Sequence, residues 1–344
     1  MTSPSGLGQS ARLAIKAFSS AGHDTYGVDL SYAFNEPSTG IKDPFRDGRR
    51  FIGPGQALIN VNAPFMKYTL QLLGRRLLKD KHVTGYWAWE LERAPDEWRN
   101  GLACVHRVAV PSRFVAGAIE ALGWRGDIIV APHPVALEGA PPLPPRPADQ
   151  PFTIASSFNV ASGFVRKNPV ALVEAFKLAF PNSTPARLRV LATNTEHYPE
   201  GRAALLAAVG GDPRIELRME SLNREEYWRW YGAPDLFASL HRAEGFGLGI
   251  AESMCRGVAV LATDWSANSE FVDAESGFPV NYTLTPVNDP QLRYEAPESL
   301  WAEPDIGHAA ELMRRAAEDS DLRTRLAATG KQRALARFSS FPLA

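Results

Sequence analysis

Apolar positions along the chain fall into two alternating series separated by a proline-rich gap. In the first, Leu13, Ala14, Ala17 and Phe18 recur at helical spacing, which predicts a helix over residues 10–20 with Gly22 as its stop. Short apolar runs at 83–87, 105–110 and 127–130 predict strands. Between the last two, Pro111-Ser112 precedes a helix predicted over 113–122, with Ser112 as its N-cap. In the second series, strands are predicted at 152–156, 187–192, 215–219, 236–240 and 258–262. Asn168 and Pro169 are expected to cap and open a helix whose apolar faces are Val170, Leu172, Val173, Phe176 and Phe180, and 203–209 is expected to form another. Strands alternating with helices imply parallel sheets with right-handed crossovers.

The gap, residues 131–151, holds eight prolines and cannot be a helix or an internal strand. The expected organisation is therefore an N-terminal Rossmann-like domain over 1–131, a linker over 132–151 and a C-terminal Rossmann-like domain over 152–344. Two such domains are expected to face each other across a cleft, with ligands at the carboxyl ends of strands. A chain of 344 residues is long enough for two cores. Its formal net charge of −1 excludes a nucleic-acid partner held by bulk electrostatics. Two cysteines, Cys104 and Cys255, exclude a disulfide scaffold and a cysteine-rich zinc site, and both are expected as buried thiols. No signal-peptide pattern and no membrane-spanning apolar run is visible, so the expected location is cytoplasmic.

Four segments carry candidate chemistry. Residues 244–252 read Glu-Gly-Phe-Gly-Leu-Gly-Ile-Ala-Glu: a glycine-rich turn between a strand and a helix N-terminus, bracketed by two carboxylates. Backbone N–H groups in such a turn suit phosphate, whereas Glu244 and Glu252 would repel it and suit hydroxyls, a combination that fits a sugar nucleotide. Arg166-Lys167, just ahead of the Asn168 helix, oppose that helix's dipole unless an anion sits beside them. Ser5-Gly6-Leu7-Gly8-Gln9-Ser10 is a short glycine loop of Rossmann type lacking the strand that should precede it. Trp87, Trp89 and Glu90 end a strand and could wall a sugar site, although aromatics there are more often core. Asp319-Ser320-Asp321 is poorly placed for a metal, and His133 and His241 have no spaced partner.

Together these residues resemble retaining glycosyltransferases of the GT-B fold, glycosyltransferase family 4, in a bacterial hexosyltransferase-like branch. Residues 244–252 look like that family's E-x7-E motif, in the context His241-Arg242-Ala243-Glu244-Gly245-Phe246-Gly247-Leu248. Arg166-Lys167-Asn168-Pro169 stand where the family carries its diphosphate-binding Arg/Lys pair, here adjacent rather than several residues apart. The N-terminal glycine loop, the segment 85–92 and Val110-Pro111-Ser112-Arg113-Phe114 extend the likeness over most of the chain. The resemblance implies that Glu244 contacts donor-sugar hydroxyls and Glu252 the ribose. It implies that Lys167 and Arg166 neutralise the leaving diphosphate, helped by backbone amides at Gly245, Phe246, Gly247 and Leu248. Gly6 and Gly8 would approach the donor, and Trp87, Trp89 and Glu90 lie on the acceptor side. Neither metal nor cofactor is implied.

The expected activity is transfer of a hexose from a nucleotide-diphosphate sugar to a glycan or lipid-linked acceptor in bacterial surface-polysaccharide synthesis. A truncated or degraded GT-B module that binds without turnover is the alternative, motivated by the absent first strand. An epimerase is disfavoured because its acid and base groups cannot be assigned. Arg75, Arg76, Lys79 and Lys81 beside Leu72, Leu73, Leu77 and Leu78 form either an ordinary surface helix or a peripheral contact with the inner face of a membrane. Base, sugar, acceptor and oligomeric state are not encoded in any segment we can read.

Overall fold

The structure is a computed structural model; it describes all residues except 1–5, 35–45, 136, 138–139, 144–148, 182–183, 295–297 and 344. The chain divides into two compact units, Met1–Ala136 with Arg337–Ala344, and Leu137–Ala336.

The first unit begins with α1 (Gly6–Ser20). Two short strands follow, β1 (Tyr26–Gly27) and β2 (Arg46–Asp47), paired in parallel. Then come β3 (Gly55–Ile59), α2 (Met66–Leu78), β4 (Lys81–Tyr86), α3 (Arg99–Leu102), β5 (Arg107–Val110), α4 (Arg113–Ala121) and β6 (Ile128–Val130). Strands β3-β4-β5-β6 form one parallel sheet in that order. Ser112 caps α4 as expected, its Oγ accepting from the Val115 N–H at 3.2 Å. The core here joins Ala14, Tyr86, Ala109, Ala131 and Phe341, and the Phe341 ring meets Phe18 edge-on at 5.7 Å.

Three expectations change in this unit. The glycine segment is not a loop: Gly6 and Gly8 are already helical, and Ser5 lies outside the described residues. The buried face of α1 starts at Ser10, Ala11, Leu13 and Ala14. Once that face is docked, extending the helix back through the glycines adds a hydrogen bond per residue at little cost. Cys104 is only half-buried, whereas Cys255 in the second unit is buried. Lys81 is no surface cation, for its Nζ donates to the carbonyls of Phe51 and Gly53 at 3.1 and 2.9 Å, which replace water around a buried ammonium.

The second unit starts with β7 (Phe152–Asn159), α5 (Phe164–Lys167), α6 (Pro169–Ala179), β8 (Ala186–Thr193), α7 (Pro199–Val209) and β9 (Ile215–Arg218). It continues with α8 (Arg224–Tyr231), β10 (Leu236–Ser239), α9 (Leu248–Arg256), β11 (Ala259–Thr263) and β12 (Phe278–Val280). An antiparallel pair, β13 (Tyr282–Pro286) and β14 (Leu300–Pro304), precedes α10 (Ile306–Glu318) and α11 (Ser320–Phe338). The six-stranded sheet runs β9-β8-β7-β10-β11-β12 and is parallel throughout. Counted from β7, that order is the doubly wound one, whose direction of growth reverses between β7 and β10. Ile154, Leu188, Val190, Leu236, Ala238 and Leu261 fill the sheet's core and pack against Leu172, Val173 and Phe176 of α6. Among the described residues, no helix is long and apolar enough to cross a membrane.

Candidate active site

Two turns leave the carboxyl ends of the strands flanking the reversal point. One, after β7, carries Arg166 and Lys167; the other, after β10, carries Glu244. They meet. Lys167 Nζ donates to Glu244 Oε1, and Arg166 Nη1 lies 3.3 Å from Oε2 while donating to the Ala243 carbonyl at 2.6 Å. The Arg166 side chain is 1% exposed, Glu244 10% and Lys167 19%, so Lys167 is the cation that solvent or substrate can reach. Burial alone would push the Glu244 carboxyl up, but Lys167 and Arg166 outweigh it and hold the pKa at about 2. Glu244 is therefore a carboxylate at neutral pH, able to accept hydrogen bonds and not to donate a proton.

The local geometry follows from backbone conformations that few residues adopt. Gly247 has φ +89 at the N-cap of α9, and a Cβ there would meet the Ile250 side chain at 3.3 Å. Asn168 stands at the N-cap of α6 with Pro169 in its first turn, as expected, but without the side-chain bond of an ordinary cap. It is left-handed (φ 52, ψ 50) and closes α5 by donating its N–H to Phe164 O at 2.9 Å. The chain must reverse between α5 and α6, and asparagine tolerates that conformation better than most residues. Arg166 and Lys167 thus form the last turn of α5, and the anion offsetting their charge is Glu244 itself.

Beneath Glu244 lies a network to which motif reading assigned no role, although His241 stood in the motif's context. Its N–H donates to Ser266 Oγ at 2.8 Å, and its carbonyl accepts from the Ala267 N–H at 3.1 Å. His241 is buried, with Nε2 2.7 Å from Asn268 Oδ1 and Nδ1 3.1 Å from Ser239 Oγ. Asn268 Nδ2 donates to Thr263 O at 2.8 Å, so Oδ1 is the free acceptor and His241 carries its proton on Nε2. Burial lowers the His241 pKa and keeps the ring neutral. The available signal was its place three residues before Glu244.

Glu252, on α9, is held separately. Its nearest cation is Arg224, 3.7 Å away, and its side chain is 13% exposed. Burial raises its pKa to about 7; Arg224 and Arg256 pull the other way without cancelling that effect. Both guanidinium groups are engaged by Trp228, with Cζ 5.2 Å (Arg224) and 4.5 Å (Arg256) from the ring centre. A small cavity at the reversal point is lined by Ser156, Ser157, Lys167, Ser239, Glu244 and Gly247. Phe246 offers only its backbone, because its ring is buried against Phe271 at 5.8 Å. Gly245 is buried within the turn, and Leu248, half-buried, starts α9.

The first unit's candidates fare differently. Trp87 is 0% exposed and packs edge-on against Trp98 at 6.0 Å; Trp89 is 8% exposed and donates from Nε1 to Arg93 O at 2.8 Å. Rings so enclosed present no face to a sugar, and the core reading is the correct one. Glu90 is half-buried beside them. Among the described residues no cluster of His, Cys, Asp or Glu could hold a metal ion.

Residues 158–302, which contain Arg166, Lys167, Glu244 and Glu252, match the family described as glycosyl transferases group 1. Over 47 residues the chain is 53% identical to a lipopolysaccharide core biosynthesis mannosyltransferase, LpsB, of Rhizobium meliloti; that stretch is 14% of this chain and 13% of the relative. Among solved structures, S. aureus TarM in complex with UDP aligns with a TM-score of 0.60 at 11% identity, over 83% of this chain and 52% of that one. HepE of Anabaena with UDP-glucose aligns with a TM-score of 0.60 at 15% identity, over 82% and 74%. A sucrose-phosphate synthase from Thermosynechococcus elongatus gives 0.59 at 17%, over 83% and 69%. The chain thus spans about half the length of TarM. By sequence, residues 158–302 carry the group 1 glycosyl transferase pattern, and by fold the chain is of GT-B type.

Proposed function

We propose that the chain is a family 4 glycosyltransferase that moves a hexose, with retention of anomeric configuration, from a nucleotide-diphosphate sugar to a glycan or lipid-linked acceptor. The observation that carries this reading is the buried Glu244–Arg166–Lys167 cluster at the reversal point of a doubly wound sheet. An ionised Glu244 accepts hydroxyls of the donor sugar, and Lys167 meets the diphosphate as negative charge develops on it. The electron pair of the breaking glycosidic bond leaves on the diphosphate oxygen, which takes the acceptor's proton as the new bond forms on the same face. Arg166 and Lys167 supply the positive charge this requires, so the proposed chemistry is metal-independent and needs no cofactor beyond the donor. Glu252 holds the ribose hydroxyls.

The likeness to LpsB supports bacterial surface polysaccharide as the setting. The proposed place is the cytoplasmic face of the membrane. There Phe65, just before α2, and Tyr68 and Leu72 within it, all more than 40% exposed, would meet the membrane, with the exposed Arg75, Arg76 and Lys79 following beyond a break in the helix at Gly74. A thermal-shift screen against UDP-, GDP- and ADP-sugars identifies the donor, since binding to the folded state raises Tm. Glu244→Ala should then abolish transfer while leaving nucleotide binding largely intact; turnover at the wild-type rate in that variant refutes the assignment.

A further inference from the structure

The turn that carries Arg166 and Lys167 has little structure of its own. Helix α5 has four residues, one turn, between Gly163 at φ +102 and Asn168 at φ 52. A single turn pays the full nucleation cost for few hydrogen bonds and would not persist alone. Its support comes from the segment containing β13 and β14, which no apolar pattern announced.

Gln291 reads the backbone at two points. Its Oε1 accepts from the Phe164 N–H, and its Nε2 donates to Val160 O at 3.3 Å. Tyr294 OH donates to Ser162 O at 3.5 Å, and its ring lies 5.6 Å from Arg166 Cζ. In β14, Glu303 takes a two-pronged pair from Arg242 at 2.7 and 2.9 Å, and the third Arg242 nitrogen donates to Val165 O. The Arg242 backbone completes the joint: its N–H donates to Arg166 O at 2.7 Å, and its carbonyl accepts from the Ala302 N–H at 2.9 Å. Contacts from Gln291, Tyr294 and Arg242 thus fall on Val160, Ser162, Phe164, Val165 and Arg166 in turn.

We infer that Gln291, Tyr294 and the Arg242–Glu303 pair are positioning residues: they brace the Val160–Lys167 turn so that its cations meet the β-phosphate of the donor. This rests on the reading of Lys167 as the diphosphate partner. The brace does not touch Glu252, so loosening it should spare the ribose contact. Its signature is a selective loss of diphosphate binding.

The test compares nucleoside diphosphates with the matching monophosphates by calorimetry, using UDP against UMP, GDP against GMP and ADP against AMP. Variants are Gln291→Ala, which removes no charge, and Arg242→Lys, which keeps the charge and loses the fork. The expected result is about a tenfold weaker diphosphate affinity, the size of one charge-assisted hydrogen bond, with monophosphate affinity and melting temperature unchanged for Gln291→Ala. In turnover, kcat should fall more than donor KM rises, because the charge on the diphosphate is greatest in the transition state. An unchanged diphosphate-to-monophosphate ratio in Gln291→Ala overturns the inference, as does an equal loss of both ligands. Should Arg242→Lys fail to fold, Gln291→Ala decides alone. Wild-type protein that prefers none of the three diphosphates over its monophosphate overturns the functional reading and the brace together, and that arm is read before any variant.

Discussion

Glu244 and Glu252 share a side chain and a motif, yet their surroundings drive them apart, to about 2 and about 7. Two cations within reach of Glu244 exceed its burial; the cations near Glu252 are farther off and engaged with Trp228. For Glu252 the folded pKa lies above the unfolded value of 4.5, so between those values the native state holds the extra proton. Its contribution to stability is therefore present below about pH 4.5 and is lost as pH rises through about 7. Glu252→Gln should flatten this part of the profile, read by denaturant unfolding at pH 5 and pH 8 (assay values of about these magnitudes span the titration). Ribose hydroxyls favour the carboxylate, so nucleotide binding near neutrality should release a proton, visible as a buffer-dependent calorimetric enthalpy that vanishes in Glu252→Gln. A buffer-independent enthalpy in the wild type would remove Glu252 from the ribose. At this scale the acids and cations were legible because glycines and charges at fixed spacing mark them. His241, Ser266 and Asn268 were not, since nothing local distinguishes a buried polar support from an ordinary core or turn residue.

Among elements, those with apolar runs declared themselves, and those defined by partners did not. β10 and β11 follow from short apolar stretches buried on both faces, and β7 and β8 from apolar residues interleaved with polar ones such as Thr153, Ser156, Arg187 and Arg189. β13, with the sequence Tyr-Thr-Leu-Thr-Pro and no buried residue, has no such run and exists by pairing with β14. α8, Arg-Glu-Glu-Tyr-Trp-Arg-Trp-Tyr, hid among charges, although Asn223 and Glu226 form a reciprocal capping box at its start. α9 was announced by the glycine-rich turn before it, and the structure puts a left-handed glycine at each end, Gly247 and Gly257. Gly247→Ala should test how much the first of these matters. The strained φ costs about 1–2 kcal/mol, lowers Tm by a few degrees, and re-aims the N-terminal amides of α9, so nucleotide affinity should fall as well. A variant of wild-type stability and affinity would show that the turn has slack.

For the whole molecule, alternation of strand and helix foretold two parallel-sheet series, and the four-stranded and six-stranded sheets are both parallel. Strand order was not legible, because registry between distant strands depends on packing that no local pattern encodes; yet that order puts the reversal point between β7 and β10, where the charged turns emerge. Nor did the pattern show that the chain passes between its units twice, near Ala136 and again at Arg337. The second passage has a topological consequence. A protease cut within the proline-rich stretch would not separate one unit cleanly from the other, because the N-terminal fragment would lack Phe341, the ring that meets Phe18 edge-on and joins the Tyr86 core. Nicked protein should therefore elute as one non-covalent particle in gel filtration, and two separate fragments would show that the returning tail does not hold. The last few side chains would then act as a latch: two polypeptides, cut apart in sequence, held as one molecule by a return stitch.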